Sequence, residues 1–199
     1  MLDVRRCGRM DYEAAYALQR KIHAEIRAGA APNTVLLLEH PPVITVARRA
    51  ERAHVLDAGP VPVVETDRGG DVTYHGPGQL VAYGLFDLKA IGRGAKEHLT
   101  YLEKVMIRIC AAYGLEAGRR KGMTGCWVGD EKIGAIGVRM EHWITMHGFA
   151  FNVDPDLSNF GRIVPCGIRE YGVTSLRRLL RRPVPLLEVA DHAERLFRS

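Results

Sequence analysis

The chain has 199 residues, 47% of them hydrophobic and 26% charged, which is typical of one globular domain spanning residues 1–199. No apolar run reaches the roughly 18 residues that a membrane-spanning helix needs, and no apolar segment follows the basic N-terminal residues as in a secretory signal. Composition therefore argues against membrane and secreted classes and predicts a cytoplasmic protein.

The formal net charge of +5 comes largely from arginine, some of it clustered in L-R-R-L-L-R-R-P at residues 176–183. An arginine-rich face can bind nucleic acid or an acidic protein, or can simply be solvated. No nucleic-acid motif accompanies the cluster, so no nucleic-acid partner is expected.

Four cysteines are present, Cys7, Cys110, Cys126 and Cys166, and no two form a C-x-x-C pair. This spacing predicts neither a zinc site nor a dithiol redox motif. We therefore expect free thiols in a reducing compartment and no bound metal.

The first half of the chain alternates one helix with β-rich segments. Apolar residues recur at helical spacing over residues 11–28, behind a candidate Asp11 cap, and Gly29 ends the pattern. The run V-L-L-L-E-H-P-P-V-I-T-V then predicts two strands, which we expect to pair around the turn at Pro41–Pro42. A further strand is predicted at Val61–Glu65.

The second half contains more strands and two more helices. After a glycine-rich loop, a strand is predicted over residues 80–88 and a helix over residues 95–113, ending at Gly114. Strand patterns follow at Cys126–Val128, Lys132–Arg139 and Ile144–Val153, and residues 186–197 form an amphipathic helix. The order of elements predicts an α/β (α+β) fold with a central mixed β-sheet flanked by helices.

The loop R-G-G-D-V-T-Y-H-G-P-G-Q at residues 68–79 is dense in glycine. Glycines permit close approach of the main chain to a ligand or to another backbone segment, although a plain glycine-rich hairpin would look the same. The phosphate-binding pattern G-x-x-x-x-G-K-[ST] is absent, and His75 alone is more often a structural hydrogen-bonding residue than a catalyst.

Two strands carry small residues beside polar ones. Lys132 begins K-I-G-A-I-G-V-R, where glycines in a strand indicate the close approach of a ligand or of another backbone segment. His147 precedes Gly148 and Ala150, and such small residues leave room for an apolar chain. A solvated lysine and an ordinary packed sheet remain alternatives at these positions.

Cys166 lies between Pro165, which fixes its own backbone φ, and Gly167, which permits a sharp turn. A thiol with a pKa of about 8.5 is only a few per cent ionised at neutral pH, so a nucleophilic cysteine needs a nearby cation. Lys132 can supply that charge if the fold brings it close. Cys166 is therefore either a nucleophile on a rigid corner or a core thiol.

Taken together, E-H-P-P-V-I-T, R-G-G-D-V-T-Y-H-G-P-G-Q, E-K-I-G-A-I-G-V-R, H-G-F-A-F-N-V and I-V-P-C-G-I closely resemble the lipoyl(octanoyl) transferase family over residues 35–176. The resemblance implies a catalytic domain of the biotin/lipoate protein ligase type. It also implies transfer of octanoyl from octanoyl-acyl carrier protein to a lysine of lipoyl domains, including 2-oxoacid dehydrogenase E2 subunits, and of the glycine-cleavage H protein. No cofactor, membrane or nucleic acid is implied.

The resemblance also assigns roles to residues. Cys166 matches the acyl-thioester nucleophile, and Lys132 matches the lysine that lowers the pKa of that cysteine. The segments that match the acyl tunnel are Arg68, Gly69, Gly70, Asp71, Val72, Thr73, Tyr74, His75, Ala135, Ile136, Gly137, Gly148, Phe149 and Ala150.

Two residues depart from the family pattern: Ala47 stands where glycine is common, and Cys126 stands where an aliphatic residue is more usual. Cys126 is therefore a bystander or a second thiol near the site. Two alternatives remain open: an ATP-dependent lipoate or biotin-type ligase, although G-R-G-R-x-G-R is absent, and a non-catalytic basic binding protein on the same scaffold.

Overall fold

The structure is a computed structural model that describes residues 2–164 and 171–199. The helices in these residues are α1 (Tyr12–Arg27), α2 (Ala95–Ala112), α3 (Leu176–Leu180) and α4 (Leu186–Arg198). The strands are β1 (Leu2–Arg9), β2 (Asn33–Glu39), β3 (Val43–Ala47), β4 (Val63–Thr66), β5 (Val72–His75), β6 (Gln79–Leu85), β7 (Gly118–Arg120), β8 (Met123–Val128), β9 (Glu131–Glu141), β10 (Ile144–Asn152) and β11 (Gly172–Val173).

The described residues form a mixed sheet of eight strands in the order β1-β2-β6-β10-β9-β8-β7, and β11 pairs with β9. The β1–β2 and β9–β11 pairs are parallel and the other pairs are antiparallel. This arrangement confirms the predicted central mixed sheet.

The helices cover both faces of the large sheet. On one face α2 and α4 pack over an apolar core that includes Leu102, Met106, Phe149 and Phe151. On the other face α1 packs on β10 and β6 through residues such as Ile22. The alternation of apolar side chains along β6 and β10 supplies both cores, because successive strand residues point to opposite faces.

A second sheet of three strands, in the order β4-β3-β5, has its own apolar core with Ile44, Tyr74 and Phe160. The prediction that the segments on either side of Pro41–Pro42 pair with each other is wrong. Strand β2 pairs with β1 and β6, whereas β3 pairs with β4 and β5. The two prolines redirect the chain from one sheet into the other, instead of forming a hairpin.

The predicted helices at residues 11–28, 95–113 and 186–197 are confirmed within two residues at each end, although the Asp11 side chain makes no capping hydrogen bond. Strand β1 was not predicted, and β5 lies inside the segment interpreted as a loop. No helix among the described residues is long and apolar enough to cross a membrane.

Candidate active site

A narrow cavity of about 40 Å³ lies where the glycine-rich segment and β5 approach the large sheet. Eleven of the residues predicted to line an acyl tunnel surround it: Arg68, Gly70, Asp71, Thr73, His75, Ala135, Ile136, Gly137, Gly148, Phe149 and Ala150. The sequence had not assigned Tyr12, Val81, Tyr83 or His147 to this lining, which they complete. Segments far apart in sequence therefore meet around one small space.

Strand alternation explains which residues reach the cavity from β5 and from Asp71, which directly precedes it. Asp71, Thr73 and His75 line it, whereas Val72 and Tyr74 point into the core of the small sheet. Tyr74 packs edge-on against Phe160 there, with ring centroids 5.6 Å apart.

The backbone of β9 packs directly against the glycine-rich segment at residues 68–79. Gly69 donates from its backbone N–H to the carbonyl of Val138 at 3.0 Å. A Cβ on Gly137 would come within 2.8 Å of the Gly69 carbonyl oxygen, and one on Gly69 within 2.9 Å of the Val138 carbonyl oxygen. Both positions therefore require glycine for this close approach, and Gly69 itself faces β9 instead of the cavity.

Arg68 ties the same segment to the small sheet. Its guanidinium donates to the Thr45 carbonyl at 2.9 Å and to the Asp71 carbonyl at 2.6 Å. The side chain thus fixes the wall of the cavity by contacts with β3 and with its own loop.

Buried neutral histidine forms part of the cavity wall. His75 donates through Nδ1 to the Gln79 side-chain oxygen at 2.7 Å, and Gln79 donates to the Asn152 side chain at 3.0 Å. Burial, followed by the charge of His40, lowers the pKa of His75 to about 3. The imidazole therefore stays uncharged at neutral pH, which suits a wall facing an apolar ligand.

His147 also lines the cavity and has a left-handed backbone conformation, with φ 59°. Its Nε2 donates to Asp67 at 2.9 Å, and Asp67 also binds Arg139 and accepts from the Tyr16 hydroxyl at 2.6 Å. Burial and the charges of Arg68 and Arg139 lower the pKa of His147 to about 3. Since the negative charge of Asp67 is already balanced by its ion pair with Arg139, His147 also remains uncharged.

Lys132 lies at the start of β9, buried to 8% exposure, between β8 and β11. It pairs with Trp127 on one side and with Val173 on the other. Ala135 at the cavity wall lies three residues further along the strand, or about 10 Å at the usual rise per residue.

The side chain of Lys132 lies on the same sheet face as Ala135, although the two are three residues apart, because a register shift between β8 and β9 beside Cys126 and Trp127 interrupts the alternation. Cys126 packs among the α2 residues, so its neighbours Gly125 and Trp127 point to the opposite face. The Lys132 Nζ lies 4.8 Å from the Trp127 ring centroid, and its Cε lies beside Gly125.

Cys166, the predicted nucleophile, lies outside the described residues together with Pro165 and Gly167. Before this gap, Val164 donates its backbone N–H to the His54 carbonyl at 2.7 Å. After it, Tyr171 packs edge-on against Trp127 at 5.7 Å, and β11 runs beside Lys132. The described chain thus resumes next to Lys132.

Cys126 does not behave as a second active thiol. Its side chain is fully buried, and a hydrogen bond with Cys110 together with burial raises its pKa strongly. It therefore stays a neutral thiol within the α2 core.

A family model described as the lipoyl protein ligase A/B catalytic domain matches residues 11–198. The chain belongs to this family. The match spans all fifteen cavity-lining residues, Lys132 and Cys166. Among curated proteins of the family, the octanoyltransferase of Geobacter metallireducens is 48% identical over 94% of this chain and 87% of its own length. The octanoyltransferase of Rubrobacter xylanophilus is 52% identical over 100% of this chain and 93% of its own.

Solved structures confirm the family fold at low sequence identity. Lipoate-protein ligase A bound with ATP superposes with a TM-score of 0.74 at 16% identity, covering 98% of this chain and 83% of that one. Biotin protein ligase from Aquifex aeolicus has a TM-score of 0.55 at 11% identity, covering 98% and 65%. The predicted biotin/lipoate ligase-like fold is therefore correct.

Proposed function

We propose that this protein is a cytoplasmic acyltransferase that moves an octanoyl group from octanoyl-acyl carrier protein to a specific lysine of a lipoyl domain. The acceptors are 2-oxoacid dehydrogenase E2 subunits and the glycine-cleavage H protein. A thioester on Cys166 is the intermediate, with Lys132 as its partner, and no ATP is consumed.

The observation that carries this proposal is the narrow cavity on β9, the strand that carries Lys132 near its start. Apart from Arg68 and Asp71, its wall combines small and apolar groups, including Val81, Ala135 and Ala150, with histidines that stay uncharged. Such a slot fits a linear apolar chain better than a polar ligand. Near-full-length relatives named octanoyltransferase support the same acyl group for this chain.

Two exchanges at one carbonyl carbon make up the reaction. The Cys166 thiolate attacks the thioester of the donor, the carbon–sulfur bond to the carrier breaks, and the departing carrier thiolate takes a proton from the Lys132 ammonium. The acceptor lysine amine then attacks the Cys166 thioester, and the thiolate leaves as the amide forms. Exchange between thioesters is nearly balanced and aminolysis is downhill, so no nucleotide is needed.

Lys132 has two tasks in this proposal. As an ammonium it stabilises the Cys166 thiolate before acylation. Once it has given a proton to the departing carrier thiolate, the neutral amine takes the proton that the incoming lysine amine releases. We expect Lys132→Arg to lose transfer, because arginine keeps the charge but does not release a proton; full retention of transfer by this variant would contradict the second task.

Intact-mass spectrometry of the protein mixed with octanoyl-acyl carrier protein, without ATP, tests the central step. We expect an octanoyl adduct that hydroxylamine removes, as it does thioesters. Cys126→Ala is the matched control, because this second thiol is buried among α2 residues, and it should acquire the same adduct.

Cys166→Ala should acquire no adduct. An adduct that survives this substitution, or one that requires ATP, would rule out the thioester mechanism and favour the ligase alternative. A second incubation with a lipoyl domain should transfer the octanoyl mass to the acceptor lysine.

A further inference from the structure

Trp127 is the aromatic side chain against which the Lys132 ammonium lies. Their contact places Nζ 4.8 Å from the ring centroid, within the range of a cation–π interaction. Trp127 is 4% exposed and Lys132 is 8% exposed. Because both groups are largely removed from water, the attraction is at the strong end for such pairs.

The indole is held in a fixed orientation. Its Nε1–H donates to the Met123 carbonyl at 3.2 Å, and Tyr171 packs edge-on against it. The Arg120 guanidinium lies 5.3 Å from the same ring and 4.0 Å from the Tyr171 ring. A ring anchored at its edge and packed by neighbours presents one defined face to the lysine.

Gly125 provides room for the lysine stem on the same face of β8. Its φ of 138° favours glycine, and a Cβ there would lie 3.4 Å from Lys132 Cε and 2.6 Å from the Gly134 carbonyl oxygen. The aliphatic stem of Lys132 thus lies over Gly125, which has no side chain. The ammonium of Lys132 lies over Trp127, the next residue on the same face of β8.

We propose that Trp127 is a positioning residue, whose indole face holds the Lys132 ammonium at the place where it serves the acyl-accepting thiol. This inference rests on the proposed function, because Lys132 has that task only if Cys166 carries the acyl group. Trp127 touches neither substrate nor reacting atoms in this role and acts through Lys132.

Substitution separates the role of the ring from that of general packing. We expect Trp127→Leu to slow single-turnover octanoylation of Cys166 about tenfold, the loss that a desolvated cation–π contact predicts. Trp127→Phe, which keeps an aromatic face, should be slowed less. The KM for octanoyl-acyl carrier protein should stay unchanged, because the cavity is lined by other residues.

The chain offers a matched control in its other tryptophan. Trp143 is 51% exposed in the β9–β10 turn, and Trp143→Leu should acylate at the wild-type rate. Thermal unfolding of each variant shows whether it is folded at the assay temperature.

Fluorinated tryptophans provide a measurement that is independent of folding defects. In a Trp143→Phe background, Trp127 is the only tryptophan, and successive fluorination weakens the negative face of the ring with little change in shape. The logarithm of the acylation rate should fall steadily with the number of fluorines. A rate that does not follow fluorination would overturn the positioning role and leave Trp127 as packing.

The two hypotheses fail in different ways. If wild-type protein forms no adduct at Cys166, the proposed function fails and this inference fails with it. If wild-type protein is acylated and the fluorinated series shows no trend, only the inference about Trp127 fails.

Discussion

Ala135 lines the cavity from β9, and its side chain is a single methyl group that takes up little of the cavity's width. We predict that Ala135→Leu shortens the accepted acyl chain. Each methylene that loses its place costs about 0.8 kcal/mol, so loss of two reduces octanoyl transfer tenfold or more. Single-turnover rates with octanoyl and butanoyl donors test this, and an equal loss with both donors would contradict it.

His75 couples folding stability to pH. Its folded pKa of about 3 lies below the ordinary value of 6.5, so unfolding takes up a proton between these values. The free energy of unfolding therefore carries no penalty from His75 well above pH 6.5, and it decreases as the pH falls from 6.5 toward 3. At pH 5 the free energy of unfolding is about 2 kcal/mol lower than at high pH because of this residue.

Urea unfolding of wild type and His75→Gln measures this linkage. The wild-type free energy of unfolding should fall more steeply between pH 6.5 and pH 5 than that of the variant. The two slopes should agree at pH 8, where the histidine is neutral in both states. Equal slopes throughout would mean that His75 is not buried as a neutral group.

Individual site residues were predictable from the sequence where they belong to a recognisable local pattern. The glycine-rich segment and the small residues of β9 and β10 indicated a close approach, and the structure brings them together around the cavity. Tyr12, Val81 and Tyr83 were not predictable, because they reach the cavity only through the packing of α1 on the large sheet and the pairing of β6 within it. Alternation within residues 71–75 separates lining from core positions only once β5 is known to be a strand.

Strand β10 depends on one glycine where it passes β6. A Cβ on Gly148 would lie 2.1 Å from the Ala82 carbonyl oxygen, which belongs to the neighbouring strand. We predict that Gly148→Ala destabilises the protein by about 2 kcal/mol or more, because backbone atoms must move apart.

Thermal unfolding monitors this change, with Gly118→Ala as control. Gly118 also lies in a strand, but a Cβ there meets no atom within 4 Å. The control should unfold near the wild-type temperature. A Gly148→Ala protein as stable as the control would show that β6 and β10 separate without cost.

Among the elements, periodicity predicted the long helices and the central strands, because each buries a regular apolar face. The assignment of strands to sheets was not predictable. Pro41–Pro42 predicts a turn, but whether the strand beyond it returns to the same sheet depends on contacts with β4 and β5. Strand β1 has only partly buried side chains, so its sequence carries a weaker signal.

At the scale of the whole molecule, the net charge of +5 would favour encounter with the proposed donor if that carrier protein is acidic, as the family resemblance implies. Arg177 and Arg178 lie more than half exposed at the start of α3, directly after the strand that pairs with Lys132. We predict that kcat/KM for octanoyl-acyl carrier protein falls as salt approaches 0.15 M, where charges act over only about 8 Å.

The uncharged donor octanoyl-pantetheine serves as the control, and its kcat/KM should change little with salt. The double variant Arg177→Gln/Arg178→Gln should flatten the salt dependence for the protein donor alone. Equal salt dependence for both donors would contradict electrostatic steering by this surface.

The cavity takes its walls from two separate sheets, since β5 belongs to the small sheet and β9 and β10 to the large one. In the proposed function, an acyl chain bound in that space would contact both sheets and link them. We therefore expect the two sheets to be held more rigidly while the acyl chain is bound and to become more mobile once it has been transferred. Backbone amides of β3 and β5 should exchange hydrogen more slowly in the octanoylated protein than in the free one.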